Sequence, residues 1–221
     1  TGHTFITVGD GNDVILYTYG RYAGGDTWTL GTTGPGILIK YTGDQAKSYL
    51  RSELYRMEAQ AFEIRDANQD KVKSYFDEKY NSSNKIPETD NPDIRNNGRI
   101  IDTYSLFGNN CTTISCDALK YAESEIFNID GLFYDYDEDF TIPKSLKNYL
   151  NSYGNIEKIQ NITDRMKKMY PNDQNKSVLK SAGSSGSSSG IGGSSSGASA
   201  NSSSADASSS GNGSGSLGSG S

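Results

Sequence analysis

The sequence predicts an α+β domain in which a small antiparallel sheet packs against helices, followed by a disordered tail. β-Branched and aromatic residues fill Thr4 to Val8 and Val14 to Tyr19, and a turn-forming Gly/Asp/Asn run separates them, which indicates a β-hairpin. Amphipathic helices are expected over 42–57 and 69–80, where apolar side chains recur at helical spacing. From residue 181 onward the composition changes to Ser, Gly and Ala.

Composition and charge set the domain boundaries and exclude some partners. Residues 181–221 contain no aromatic side chain and cannot bury enough apolar surface to offset the entropy of ordering, so we expect a disordered tail there. Residues 1–180 suffice for one domain with its own core. The net charge of −6 argues against a nucleic-acid partner. No apolar run approaches the ~20 residues of a membrane-spanning helix.

The remaining elements follow from the same patterns. Strands are expected over 37–41 and 61–64, and an extended segment over 100–106. Residues 81–98 form a polar loop with two prolines. The C-terminal part of the domain should contain helices over 111–127 and 143–150, a last strand within 154–162 and a short helix or turn over 164–170.

Cys111 is the leading candidate for a reactive residue. It follows a Gly-Asn-Asn turn and stands in the first turn of a predicted helix, where free N–H groups and the helix dipole favour a thiolate. Polar residues flank it on both sides, whereas Cys116 shares an apolar stripe with Leu119 and belongs in the core. The alternative is that Cys111 is also a buried, inert thiol.

The two cysteines do not suggest a disulfide or a metal site. On a helix, residues 111 and 116 point about 140° apart, so both should be free thiols. Two cysteines and one histidine match no common zinc-ligand spacing. We therefore expect neither a metal nor a cofactor.

His3 is the only histidine in the chain and thus the only imidazole available as a base for a Cys111 nucleophile. A histidine on a strand is more often structural, so the two assignments depend on each other. Tyr17 and Tyr19 lie on the next strand of the hairpin and are candidates to orient the ring, with ordinary packing as the alternative for both.

The start of the cysteine helix also offers groups that would bind an oxyanion or the substrate. The backbone N–H of Thr112, next to that of Cys111, is the natural donor at a helix N-terminus. Asn110 either donates to the oxyanion or holds the loop. A separate acidic and aromatic run at 134–140 spaces three aspartates two apart, but it lacks the Gly and closing Glu of a calcium loop, and a solvated loop is the preferred interpretation.

The order of these motifs resembles the circularly permuted papain-like cysteine hydrolases of the NlpC type. A Gly-His strand at Gly2 and His3 comes first, and a strand–helix unit follows over 61–80. Then come Asn-Asn-Cys-Thr-Thr at a helix start, over 109–113, and a Thr-x-Pro-x-x-Leu helix at 141–146. The similarity covers about residues 2–150.

This resemblance implies that Cys111 is the nucleophile, that His3 is the base, and that a variable polar group on the following strand orients the ring. No Glu, His, Asn or Gln occurs in residues 14–21, so this third position departs from the common pattern. Members of the superfamily include peptidoglycan peptidases, amidases, acyltransferases and lipases, and some are C-terminal toxin domains of large secreted bacterial proteins.

The sequence thus predicts a cysteine hydrolase acting on an amide or ester bond, with a peptidase or amidase favoured. An acyltransferase or lipase on acyl-lipids would use the same two residues, and a non-catalytic binding module on the same fold is the third interpretation. The chain starts without Met and without a signal peptide. We therefore expect a piece of a larger secreted bacterial protein, with that parent polypeptide or an immunity-type protein as partner.

Overall fold

The computed structural model describes residues 2–22, 33–128, 142–153 and 157–172, together with the backbone of 201–207 and 215–219. The predicted α+β class, with an antiparallel sheet packed against helices, is confirmed. The strands are β1 Gly2–Val8, β2 Ile15–Gly20, β3 Thr33–Thr42, β4 Gln60–Ile64, β5 Gly98–Ser105, β6 Ile159–Asn161, β7 Asn201–Ala207 and β8 Gly215–Ser219. The helices are α1 Gly43–Tyr55, α2 Gln69–Asn81, α3 Pro92–Asn97, α4 Cys111–Tyr121, α5 Pro143–Ser152 and α6 Thr163–Met169.

The strands form one sheet in the order β5-β3-β2-β1-β7-β8-β4-β6. The predicted hairpin is present: β1 and β2 are antiparallel, and Phe5 lies opposite Thr18. Gly9 allows the hairpin turn because it adopts a φ of 76°, a left-handed conformation that side chains disfavour. The register of this hairpin determines which side chains share a face with His3.

Helices cover both faces of the sheet, which divides the buried residues into two cores. Alternate residues of each strand enter opposite cores, as the pleat requires. Phe5 and Leu16 pack with α1 and α6, whereas Ile6 and Tyr17 pack with α2, α4 and α5. Strand β1 is therefore buried on both faces. A one-residue shift in its register would move every side chain into the opposite core, so the register is strongly specified.

The structure differs from the predicted boundaries in three places. Helix α4 ends at Tyr121 instead of residue 127, because the chain leaves helical geometry at Glu123, whose φ is 63°. Residues 92–97 of the predicted polar loop form α3, which Asn91 caps and which has Pro92 in its first turn. Strand β3 begins at Thr33, before the predicted start at 37.

Two segments of the Ser/Gly-rich range form strands, although the sequence predicts no regular structure there. Strand β7 pairs in parallel with β1, and β8 pairs antiparallel with β4. Backbone groups of any extended segment can hydrogen-bond to an open strand edge, whatever its side chains, so side-chain patterns do not reveal such pairing. The other residues from 173 onward lie outside the described residues. None of the described helices is long and apolar enough to cross a membrane.

Leu50 belongs to the buried core beneath α1, so we predict that Leu50→Ala lowers the free energy of unfolding by about 2–5 kcal/mol. Leu50 is fully buried in the middle of α1, and its truncation leaves a cavity. The matched control is Ile86→Ala, because Ile86 is 55% exposed and its loss should change stability by less than about 0.5 kcal/mol. Urea unfolding followed by circular dichroism measures both; equal effects would contradict the assignment of the core.

Candidate functional site

Cys111 is the first residue of α4, as predicted, and Asn110 fixes this helix start. The side-chain oxygen of Asn110 accepts hydrogen bonds from the N–H groups of Thr112 and Thr113, at 2.8 and 3.2 Å. In return, the hydroxyl of Thr113 accepts the backbone N–H of Asn110 at 2.8 Å. This reciprocal capping box holds the helix terminus, and with it the position of the thiol, in one geometry.

The thiol of Cys111 lies inside the protein. The residue is 4% exposed, and the donors near its sulfur include the backbone N–H of Thr4 and the hydroxyl of Thr112. Burial raises the pKa of the thiol, and the hydrogen-bond donors, which favour the thiolate, offset this only in part. The expectation of a lowered pKa is therefore wrong for this conformation, in which the thiol is protonated at neutral pH.

The loop before Cys111 is anchored to strand β2 by Tyr19. The amide of Asn109 donates to the Tyr19 hydroxyl at 3.1 Å, and that hydroxyl donates to Asp102 at 2.5 Å. Gly36 leaves room for this contact, because a Cβ there would collide with the hydroxyl and the carboxylate. Tyr19 thus positions the cysteine loop.

His3 lies on β1 and faces α1. Its ring stacks with Phe5, with a centroid distance of 6.3 Å. The Nε2 atom lies 2.5 Å from the hydroxyl oxygen of Thr18 and 3.2 Å from that of Tyr22. Burial lowers the pKa of His3 to about 4, so the ring is neutral at pH 7. When Nε2 carries the proton and donates to Thr18, the free lone pair lies on Nδ1.

The start of α4 lies against β1 beside His3, but Cys111 and His3 are not bonded to each other. Thr112, the residue after Cys111, contacts Thr4, the residue after His3. The Thr4 side chain points towards α4, where its hydroxyl lies 3.3 Å from that of Thr112, whereas the imidazole shares the opposite face with Phe5. Within the described part of the chain, no hydrogen bond joins the Cys111 sulfur to the imidazole.

The two tyrosines expected to orient the imidazole are not at His3. Tyr17 donates to Asp77 at 2.8 Å, and Tyr19 donates to Asp102. Because Phe5 pairs with Thr18, odd-numbered residues of β2 face α4 and Thr18 faces the imidazole. The expectation that Tyr17 or Tyr19 orients the imidazole was therefore wrong, because the residue between them, Thr18, faces the ring. Sequence reasoning missed Thr18 and Tyr22, although strand alternation, with the register in hand, would have indicated Thr18.

Asn110 and Thr112 already have partners in this structure. The Asn110 amide caps α4 and also donates to the backbone carbonyl of Leu106 at 2.9 Å. The Thr112 N–H donates to the Asn110 side chain. Their assignment to an oxyanion or to the substrate stays a prediction, because it requires these donors to exchange partners.

Other predicted features have simple outcomes. Both cysteines are buried free thiols, as the helical spacing indicated. The acidic run at 134–140 lies outside the described residues.

Comparisons of the chain with protein-family models, with curated proteins and with solved structures find no match in any of the three. The interpretation of the site therefore depends on its own geometry.

Because His3 is a partly buried ring that stays neutral at pH 7, it should make stability depend on pH. The pKa of His3 is 6.5 in the unfolded chain and about 4 in the folded protein. Between these two pH values, the imidazole is protonated in the unfolded chain and neutral in the folded protein. Stability is therefore lost as pH falls through this window. We predict that, between pH 6.5 and 4, the unfolding free energy of the wild type falls by up to about 3 kcal/mol relative to that of His3→Gln.

Urea unfolding at several pH values measures this difference. Glu53 acts in the opposite direction, because burial raises its pKa from 4.5 to about 7 and stability falls as pH rises through that range. Glu53 is present in both the wild type and His3→Gln, so its effect cancels when the unfolding free energy of one is subtracted from that of the other. A difference that stays constant between pH 6.5 and 4 would contradict the buried, neutral imidazole.

Proposed function

We propose that this chain is a cysteine hydrolase of the permuted papain-like type, which cleaves an amide or ester bond with Cys111 as nucleophile and His3 as base. One observation carries the proposal: the hydroxyls of Thr4 and Thr112, the residues that follow His3 and Cys111, lie 3.3 Å apart. The start of α4 therefore lies against β1 beside His3, although the two residues are 108 positions apart in the sequence. The element order, with the histidine hairpin first and the cysteine helix later, fits the resemblance.

The chemistry starts from a neutral thiol and a neutral imidazole. As the sulfur attacks the carbonyl carbon, its proton passes to Nδ1 of His3, and the carbonyl π electrons move to the oxygen. Collapse of this intermediate expels the amine or alcohol, which takes the proton from the imidazolium and leaves a thioester on Cys111. Water then attacks the thioester and gives a proton to His3. Collapse of the second intermediate breaks the carbon–sulfur bond, the sulfur of Cys111 takes the proton back from the imidazolium, and the acid is released.

The thiol and the imidazole must approach each other when substrate binds. Catalytic hydrogen bonds are often long before a substrate is present and tighten in the complex. The N–H of Thr4 and the hydroxyl of Thr112 both favour the thiolate form of Cys111, so both would stabilise the negative charge that develops on the sulfur during attack.

Thr18 is the group we assign to orient the imidazole. The superfamily places a variable polar residue on the strand after the histidine, and Thr18 is in the corresponding strand, 2.5 Å from Nε2. As an acceptor for the Nε2 proton, it leaves Nδ1 unprotonated, the state that a base requires. Tyr22 supports Thr18, since their hydroxyls lie 2.7 Å apart.

If Cys111 and His3 carry the reaction, Cys111→Ala and His3→Ala each lower kcat/KM by at least about a thousandfold. The fold should persist in both variants, as checked by circular dichroism. Cys116→Ala is the matched control: Cys116 is equally buried, in the α4 core, so its loss should cost stability and leave activity within a few-fold. Hydrolysis of peptidoglycan fragments and of simple amides and esters gives the rates; an active Cys111→Ala enzyme would rule out this mechanism.

Loss of the Thr18 hydroxyl should slow catalysis without weakening substrate binding. One hydrogen bond to a charged partner contributes about 1.5–3 kcal/mol, so Thr18→Val should lower kcat about 10- to 100-fold at nearly constant KM. Thr18→Ser keeps the hydroxyl and should restore most of the rate. Equal losses in the Val and Ser variants would show that Thr18 acts through packing and not through the imidazole.

A non-catalytic binding module is the second candidate, and the thiol itself favours it. Cys111 is 4% exposed, its pKa is raised, and no hydrogen bond to the imidazole occurs within the described residues. The reaction with an activated ester such as p-nitrophenyl acetate separates the two. A hydrolase releases one equivalent of p-nitrophenol in a rapid burst that Cys111→Ala lacks, whereas a binding module gives the same slow release in both proteins.

A further inference from the structure

A cleft of about 380 Å³ opens between α1, α3 and strand β3. It is lined by Tyr41, Gln45, Ser48, Tyr49, Ser52 and Asp93. Each of these side chains carries a hydroxyl, an amide or a carboxylate, so the cleft is suited to a polar ligand.

The charge of the cleft favours a cation. Asp93 is the one charged side chain in this lining, as far as the described residues extend. Its carboxylate accepts hydrogen bonds from the Tyr41 hydroxyl at 2.6 Å and from the Asn97 amide at 3.2 Å, and it lies 3.4 Å from the Gln45 amide nitrogen. These contacts fix its orientation. The rings of Tyr41 and Tyr49 lie 5.6 Å apart beside it, and aromatic rings attract cations.

The cleft lies on the face of the sheet that carries the imidazole. Tyr49 connects the two, because its ring lines the cleft while its hydroxyl lies 3.4 Å from that of Thr18, the partner of His3. A ligand held against Tyr49 therefore lies on the base side of the candidate site.

We propose that this cleft binds the alkylammonium group of an amine-bearing substrate, such as a lysine side chain. The identification of this amine as part of the substrate rests on the proposed hydrolase function. The binding of an amine in the cleft does not depend on that function. An ammonium in the cleft would pair with Asp93 and pack against the tyrosine rings.

The test measures binding in the full-length Cys111→Ala protein, so catalysis does not enter it. The probe is Nα-acetyl-lysine methylamide, and the comparison is the same molecule acetylated at Nε, which lacks the charge. In ¹⁵N-resolved NMR titrations, we expect the lysine probe to shift the amides of Gln45, Ser48 and Ser52 at about millimolar concentration. The neutral analogue should bind at least tenfold more weakly.

Asp93→Asn keeps the shape and the acceptor for Tyr41 but removes the charge, so it should weaken the lysine probe about tenfold. Asp90→Asn is the matched control, because Asp90 is exposed nearby and does not line the cleft, and it should change nothing. Equal binding of the two probes, or binding unaffected by Asp93→Asn, would overturn the proposal. If the lysine probe binds as expected but the wild type hydrolyses no substrate, the hydrolase function fails and the amine site stands.

Discussion

The hydrogen bond between Nε2 of His3 and the hydroxyl of Thr18 is the interaction on which the site depends. An imidazole has two nitrogens, and the one that is engaged determines the role of the other. Nε2 lies 2.5 Å from the Thr18 hydroxyl, which fixes the orientation of the ring. In the mechanism we propose, Nε2 carries the proton and the free lone pair belongs to Nδ1. Burial adds a second condition, because it lowers the pKa to about 4 and keeps the ring neutral at neutral pH.

The two cores explain both why the site is ordered and why it is closed. Because helices cover both faces of β1, successive side chains are committed to opposite cores: Thr4 to the α4 side and His3 to the α1 side. Cys111 lies at the start of α4, where the hydroxyl of the next residue, Thr112, is 3.3 Å from that of Thr4. The same packing that brings the cysteine helix to the histidine strand also desolvates the sulfur, which raises its pKa. The mechanism we propose therefore requires substrate binding to bring the two groups together.

Sequence patterns predict most of the fold and the position of the candidate nucleophile. Periodicity and turn residues identify the hairpin, the helices other than α3 and the start of α4 at Cys111, because these are local properties. The partner of His3 depends on strand register, which a one-residue shift reverses, so Tyr17 and Tyr19 were chosen where Thr18 is correct. The raised thiol pKa is also non-local, since it comes from burial against a strand about a hundred residues away. Pairing of the Ser/Gly strands involves backbone groups, which carry no side-chain signature.

Nitrogen-15 NMR of the imidazole tests the central claim most directly, because His3 is the chain's only histidine and its ring gives one pair of signals. The account predicts that at pH 7 the Nε2 signal is that of a protonated nitrogen donating a hydrogen bond, and that the Nδ1 signal is that of a bare nitrogen. Thr18→Val should mix the two tautomers. A proton found on Nδ1 in the wild type would contradict the account, since His3 could not then accept the proton of Cys111 at that atom.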